Sequence, residues 1–227
     1  MKRRAAKLPP PRLIPPRQQR SGESLSRILQ GAMSLLTQRD LDHISVEDIA
    51  HASGVAVGNI YRRFSNREAL VLELLRRIQL LQLESLEAEL APERWRGQGL
   101  AERLDWLVQR QCEAARRIPG LVKSIFASVI NRPVEANEES VRLNSLAIEK
   151  LAAWLLAASR RPARSQDACI IVANLLIGVN LALLYPSAFA PHPPQPAVAV
   201  LQSAALAALK ALPARPAMDK PARARAR

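Results

Sequence analysis

An all-α protein of two helical domains is the fold this sequence predicts, and three observations predict it. No run alternates apolar and polar side chains as a half-buried strand would. Helical composition recurs instead in segments separated by prolines and glycines. Residues 44 to 70, ISVEDIAHASGVAVGNIYRRFSNREAL, spell two short helices joined by a tight turn and followed at once by a third helix start. At 227 residues, 48% of them hydrophobic, the chain is long enough for one small domain and one larger one, each with a buried core.

The first 20 residues hold five prolines and seven basic side chains with no acid, which predicts an extended arm able to lie along a polyanion rather than a packed element. Within the 44 to 63 motif, Ser45 can cap a helix while Asp48, three residues on, reaches back to complete a capping box. That helix ends at Gly54, the residue that takes a left-handed conformation without steric cost. A second helix is predicted over Ala56 to Phe64, with Ile60 and Phe64 four apart and turned onto the first helix. Its other face carries Val57, Asn59, Tyr61, Arg62 and Arg63. Asn and Arg can hydrogen-bond base edges, and Arg and Tyr can hold phosphate oxygens, so this face suits a major groove. Ser65 and Glu68 predict a second capping box and the start of a long helix to about Leu90, stopped by Pro92.

On these residues the chain resembles the N-terminal domain of the TetR/AcrR family of bacterial transcriptional repressors, over roughly residues 21 to 75. Arg27, Ile28, Leu29, Ala32 and Leu35 sit where the family's first helix places its core. Val46, Ile49, Ala50, Gly54, Val55, Gly58, Ile60, Tyr61, Phe64, Ser65, Glu68 and Leu70 continue the pattern at the family's spacing. The chain departs from it at Asp40 for a turn Gly, Leu36 for Phe, Ala56 for a capping Ser, and Arg67 for a phosphate-contacting Lys. The resemblance implies an N-terminal three-helix helix-turn-helix domain, a C-terminal helical bundle domain that forms a dimer, and a small-molecule effector that binds among the middle helices.

Beyond a loop with Gly97 and Gly99, residues 100 to 118, 120 to 131, 137 to 160, 165 to 185 and 195 to 212 each read as helix. Pro119, Pro133, Pro162, Pro186 and the run from Pro191 to Pro196 separate them. The segment ACIIVANLLIGVNLALLY, residues 168 to 185, is apolar on all sides and close to the length of a membrane span. Asn174 and Asn180 inside it argue against a membrane. One face is instead expected to meet the chain's own core and the other a second subunit. With the small-residue helix AVAVLQSAALAALKAL it would form half of a four-helix dimer interface, through residues 165 to 185 and 195 to 212, with Gly178 a candidate for close helix contact. The organisation expected is thus an arm over 1 to 20, a DNA-reading domain over 21 to 75, an effector and dimerisation domain over 76 to 212, and a basic tail over 213 to 227.

Charge follows that division. Of the net +13, residues 1 to 77 carry 14 basic and 7 acidic side chains, residues 213 to 227 carry 5 and 1, and the long span between is nearly balanced. Positive charge concentrated on a reading domain and two tails points to a polyanionic partner. The first 20 residues contain no apolar core of a cleavable signal, so a cytoplasmic location is expected. Cys112 and Cys169 are too few for a disulfide framework or a zinc motif and are expected to be buried thiols. His43, His51 and His192 have no ligand at metal spacing, and no glycines cluster as a phosphate loop, so neither an enzyme, a metal site nor a cofactor is expected.

Base-edge contact is assigned to Val57, Gly58, Asn59 and Arg62, and phosphate contact to Arg27, Ser45, Tyr61, Arg63 and Arg67. The partner expected is a pseudo-palindromic double-stranded DNA operator, bound by a homodimer and released when an apolar effector binds. Effector candidates are Trp106, Phe126 and Trp154 as large apolar groups and Lys123 and Asn174 as polar ones, with Trp95 near the domain junction. A small-molecule binding protein would not need Arg62, Arg63 and Arg67 around one helix. An architectural DNA binder would not need so large a second domain.

Overall fold

The computed structural model describes residues 19–130, 138–158, 165–189 and 194–212. Most of the basic arm, the tail from residue 213 and His192 lie outside the described residues. The regular elements described are all helical: α1 (Gln19–Leu36), α2 (Val46–Ser53), α3 (Val57–Tyr61), α4 (Arg67–Glu89), α5 (Leu100–Arg117), α6 (Pro119–Ile130), α7 (Glu138–Ala157), α8 (Ser165–Leu184) and α9 (Pro194–Ala211), with short 3-10 turns at Leu41–His43, Pro92–Trp95 and Pro186–Phe189. Prolines open elements as well as separating them. Pro119 and Pro194 begin α6 and α9, because a proline in the first turn lacks only an N–H that has no intrahelical acceptor there.

The chain forms two compact units. One contains the residues up to Ala88 together with Cys112–Ser145, and the other Glu89–Gln111 with the residues from Leu146. The core of the first gathers Ile28, Leu29, Ala32 and Leu36 of α1, Ile49 of α2, Ile60 of α3 and Phe64, then Leu70, Leu74, Leu75 and Ile78 of α4 and Leu121 of α6. Three of these α4 residues, Leu70, Leu74 and Leu75, are almost wholly enclosed, so the start of the long helix is built into this unit. Gln79 of α4 and Ser140 of α7 add a buried reciprocal pair, in which Ser140 Oγ donates to Gln79 Oε1 at 2.8 Å and Gln79 Nε2 donates to the Ser140 carbonyl at 3.2 Å.

At the other side of the same unit, α6 meets the end of α1. A Cβ on Gly120 would lie 2.3 Å from the Arg39 carbonyl oxygen and 3.0 Å from that of Leu36, so only glycine allows the approach. The N-terminus of α6 thereby faces carbonyls at the C-terminal end of α1, an arrangement that the two helix dipoles favour. Lys123 adds an ion pair to Asp40 at 3.1 Å. Gly120→Ala is expected to lower folding stability by roughly 1–3 kcal/mol as α6 is pushed outward. An unchanged urea midpoint would show that the contact yields without cost.

In the second unit α8 packs against α9. Ala168, Val172, Leu175, Val179 and Ala182 form one buried stripe along α8, while Ile170, Asn174 and Ile177 are exposed on its other side. Gln166–Leu184 is long and apolar enough to cross a membrane by length and composition alone. Its buried stripe is accounted for within the unit, and Asn180 accepts a hydrogen bond from Gln111 at 2.6 Å. Gly178 is at a close helix contact, but one inside the chain: a Cβ there would lie 2.9 Å from both Leu201 methyl carbons of α9. Cys112 and Cys169 are half-buried rather than buried. Burial pushes both thiols above their ordinary pKa.

Candidate nucleic-acid interface

The helix-turn-helix is assembled by local signals. Ser45 Oγ accepts the Asp48 N–H at 3.0 Å, and Asp48 Oδ2 accepts the Ser45 N–H at 2.9 Å, which completes the capping box. Those two Ser45 groups, backbone first, hold the Asp48 carboxyl below its ordinary pKa. Gly54 ends α2 in the left-handed region at φ 63°. The turn then enters α3 through Ala56, which offers no side-chain cap. Helix α3 is shorter than the sequence predicts, Val57–Tyr61 instead of Ala56 to Phe64, although the Phe64 N–H still donates to the Ile60 carbonyl at 2.9 Å. Without a capping side chain at one end, or a long apolar seam, a single turn is all that the core contact of Ile60 sustains.

This shortening decides which residues face out. Gly58, Asn59 and Arg62 are exposed, as is Tyr61 at 47%, and Val57 is half-buried against the core. Arg62 Nη2 donates to Asn59 Oδ1, so the two residues best suited to base edges are already oriented together. A Cβ added at Gly58 would meet nothing within 4 Å. Packing inside the chain therefore does not demand this glycine, and the α3 backbone is uncovered at this position.

Arg63 is different. It is only 8% exposed and turned away from that surface, and desolvation pushes its guanidinium below the ordinary arginine pKa. Arg67 lies at the start of α4, and its Nε donates to the Ile44 carbonyl at 3.2 Å while Nη2 donates to the carbonyls of Ile44 and Leu41. Its guanidinium ties α4 to the turn that leads into α2. Helix α4 is also capped one residue later than expected: it opens at Arg67, and Asn66 Oδ1 accepts the Ala69 N–H at 2.9 Å. Asn caps at least as well as Ser, and its position three residues before Ala69 selects it. Arg27 and Ser45 are exposed, on α1 and at the N-terminus of α2. Ser45, Tyr61 and Arg67 all line one shallow cleft of about 420 Å³. Arg67→Ala is expected to lower the melting temperature while leaving the salt dependence of DNA binding nearly unchanged. A lost phosphate contact would instead reduce the salt slope by about one.

The effector candidates are divided between the two units. Trp106 and Trp154 meet edge to face at 5.3 Å between ring centroids, and Trp95 joins them at 5.1 and 4.7 Å. Lys123 is engaged by Asp40 in the other unit. Asn174 is exposed, and the side chain of Phe126 lies outside the described residues. Arg103 and Arg110 complete the cluster, with their guanidinium carbons 5.4 Å from the Trp154 ring and 5.8 Å from the Trp106 ring. The sequence carries a sign of this: Arg103, Trp106 and Arg110 recur at three and four residues along α5, which puts them on one helix face.

Residues 28–74 match the family described as bacterial regulatory proteins, tetR family. The HTH-type transcriptional repressor KstR2 of Rhodococcus jostii (strain RHA1) is 39% identical over 64 residues, 27% of this chain and 31% of that protein. The matched segment thus spans about a third of that relative. The fold extends further. A TetR transcriptional regulator from Rhodococcus sp. RHA1 superposes with a TM-score of 0.58 at 18% identity, covering 86% of this chain and 100% of the other. Thermus thermophilus FadR, a TetR-family repressor solved with lauroyl-CoA, gives 0.57 at 21% identity over 86% and 99%. Bacillus subtilis FadR with stearoyl-CoA gives 0.56 at 13% over 82% and 97%. Over residues 28–74 the chain is thus similar to the tetR family of bacterial regulatory proteins, and over most of its length it shares the fold of these solved structures.

Proposed function

We propose that this chain is a ligand-responsive transcriptional regulator, a repressor that binds a pseudo-palindromic DNA operator as a homodimer in the cytoplasm. The observation that carries this reading is the outer surface of α3, where Asn59, Tyr61 and Arg62 project beside the uncovered backbone of Gly58. Asn59 and Arg62 are the base readers, Gly58 allows the approach, and Val57 supplies an apolar edge. Tyr61, Ser45 and Arg27 hold phosphates. Arg63 and Arg67 act within the protein, by packing and by fixing the position of α4.

Dimerisation is supported by the exposed side of α8, with Ile170 and Ile177, and that of α9, with Val200, Ala204 and Ala207. Apolar surface of this kind on adjacent helices is the mark of a partner, and a second copy covers it without leaving Asn174 in hydrocarbon. Two recognition helices can then enter successive major grooves about 34 Å apart. Effector control has a physical route in the α6–α1 contact at Gly120 and the Lys123–Asp40 pair: α6 cannot shift without moving the end of α1, which packs on α2. Two solved neighbours are complexes with lauroyl-CoA and stearoyl-CoA, which supports control of this chain by a small-molecule effector.

Anisotropy titration of labelled DNA flanking the gene tests the reading. Saturation at two protomers per duplex, weakening steeply with salt, is the expected result. Equal affinity for every duplex would contradict it.

A further inference from the structure

Arg62 keeps right-handed helical angles, φ −66° and ψ −22°, at the end of α3, so its side chain shares one exposed face with that of Asn59, three residues before it. Arg62 Nη2 donates to Asn59 Oδ1. A guanidinium can only donate, so the amide atom that meets it is the oxygen, and this bond settles which way the Asn59 amide is turned. The amide NH2 and the remaining N–H groups of Arg62 are left as donors. Helix α3, Val57–Tyr61, contains no carboxylate, and Tyr61 lines the cleft it shares with Ser45. The pair therefore offers a base edge donors backed by a positive charge.

We propose that Asn59 and Arg62 read only hydrogen-bond acceptors in the major groove: Arg62 takes the O6 and N7 of a guanine, and Asn59 donates to a further acceptor, on guanine or on thymine. The two-bond contact of Asn with adenine instead needs the amide oxygen to accept from the N6 amino group. Here that oxygen is already shared with a cation, whose charge repels the partly positive amino hydrogens of adenine and cytosine. The groove excludes water and strengthens a charge-assisted bond, so contact with DNA holds the pair together rather than parting it. This deepens, and rests on, the reading of α3 as the helix that enters the groove.

Duplexes are selected from a random pool by the full-length chain, by Asn59→Ala and by Arg62→Ala, and the base pair at which each variant loses preference marks its contact. Both side chains are exposed, so neither variant disturbs the core. At the Arg62 position the parent should select G·C, and 7-deazaguanine there, which lacks the N7 acceptor, should weaken it about tenfold. At the Asn59 position the amino group is deleted, with purine in place of adenine or pyrimidin-2-one in place of cytosine. The parent should bind as before. The same duplexes titrated with Asn59→Ala correct for the weaker base pair. A loss of about tenfold in the parent that Asn59→Ala does not share would show that Asn59 accepts from the amino group, and would overturn the proposal. So would A·T at the Arg62 position, indifference of the parent to 7-deazaguanine, or an unchanged preference in Asn59→Ala. A converged pool in which Asn59 accepts from an amino group keeps the regulator and refutes the donor-only pair, whereas a pool that stays random with the parent refutes both.

Discussion

Arg62→Ala is expected to lower operator affinity by roughly 1–3 kcal/mol per half-site, and so by about twice that in a dimer that reads two. Arg62 is exposed and donates to Asn59, so the substitution removes one reader and releases the other from its fixed orientation. Discrimination among sequences should fall along with affinity. Stability should hardly change, because Arg62 is exposed and the core contacts of Ile60 and Phe64 are untouched. Anisotropy titrations on operator and scrambled duplexes, with urea unfolding as a control, check both halves. Arg63→Ala is the informative contrast: the loss should fall on folding, since that side chain is buried. Should Arg62→Ala bind operator like the parent, α3 is not the reader.

Ile177→Glu is expected to convert the proposed dimer to a monomer. Ile177 and Ile170 are exposed one turn to either side of Asn174, so glutamate there costs a folded monomer little. Across a two-fold interface the same change introduces two charges, and leaving them buried and unpaired costs several kcal/mol. DNA binding should collapse with it, because a half-site held by one recognition helix lacks the linked contribution of the second. Sedimentation equilibrium reads the association and circular dichroism the fold. A variant that remains dimeric would place the interface elsewhere. Gly178→Leu does not serve this purpose, because its clash would be with Leu201 of the same chain.

The helix-turn-helix is legible in the sequence because its determinants are local. A hydroxyl three residues before a carboxylate, a glycine that needs a positive φ, and Ile60 and Phe64 spaced to meet one core each act within a few residues. The later helices were legible for the same reason, their ends falling close to prolines. What periodicity does not carry is the point at which α3 ends. Arg62 and Arg63 are equivalent by type and adjacent in sequence, yet the helix stops at Tyr61, and one arginine turns outward while the other is buried. Arg67 was opaque because its acceptors lie at Leu41 and Ile44, more than 20 residues back. The tryptophan cluster depends on Trp95, brought from a short turn after Pro92 to meet α5 and α7, a contact that no local pattern encodes. Lys123, an effector candidate by composition, is matched to Asp40 across 83 residues.

The most direct measurement is selection of bound duplexes from a random DNA pool by the full-length chain, followed by sequencing of what is retained. If α3 reads base edges from a two-fold dimer, the retained pool converges on an inverted repeat whose half-site centres are about one helical turn, or a multiple of it, apart. Arg62→Ala then loses preference at one position in each half. A pool that stays random, or converges on a single unrepeated site, would contradict the account.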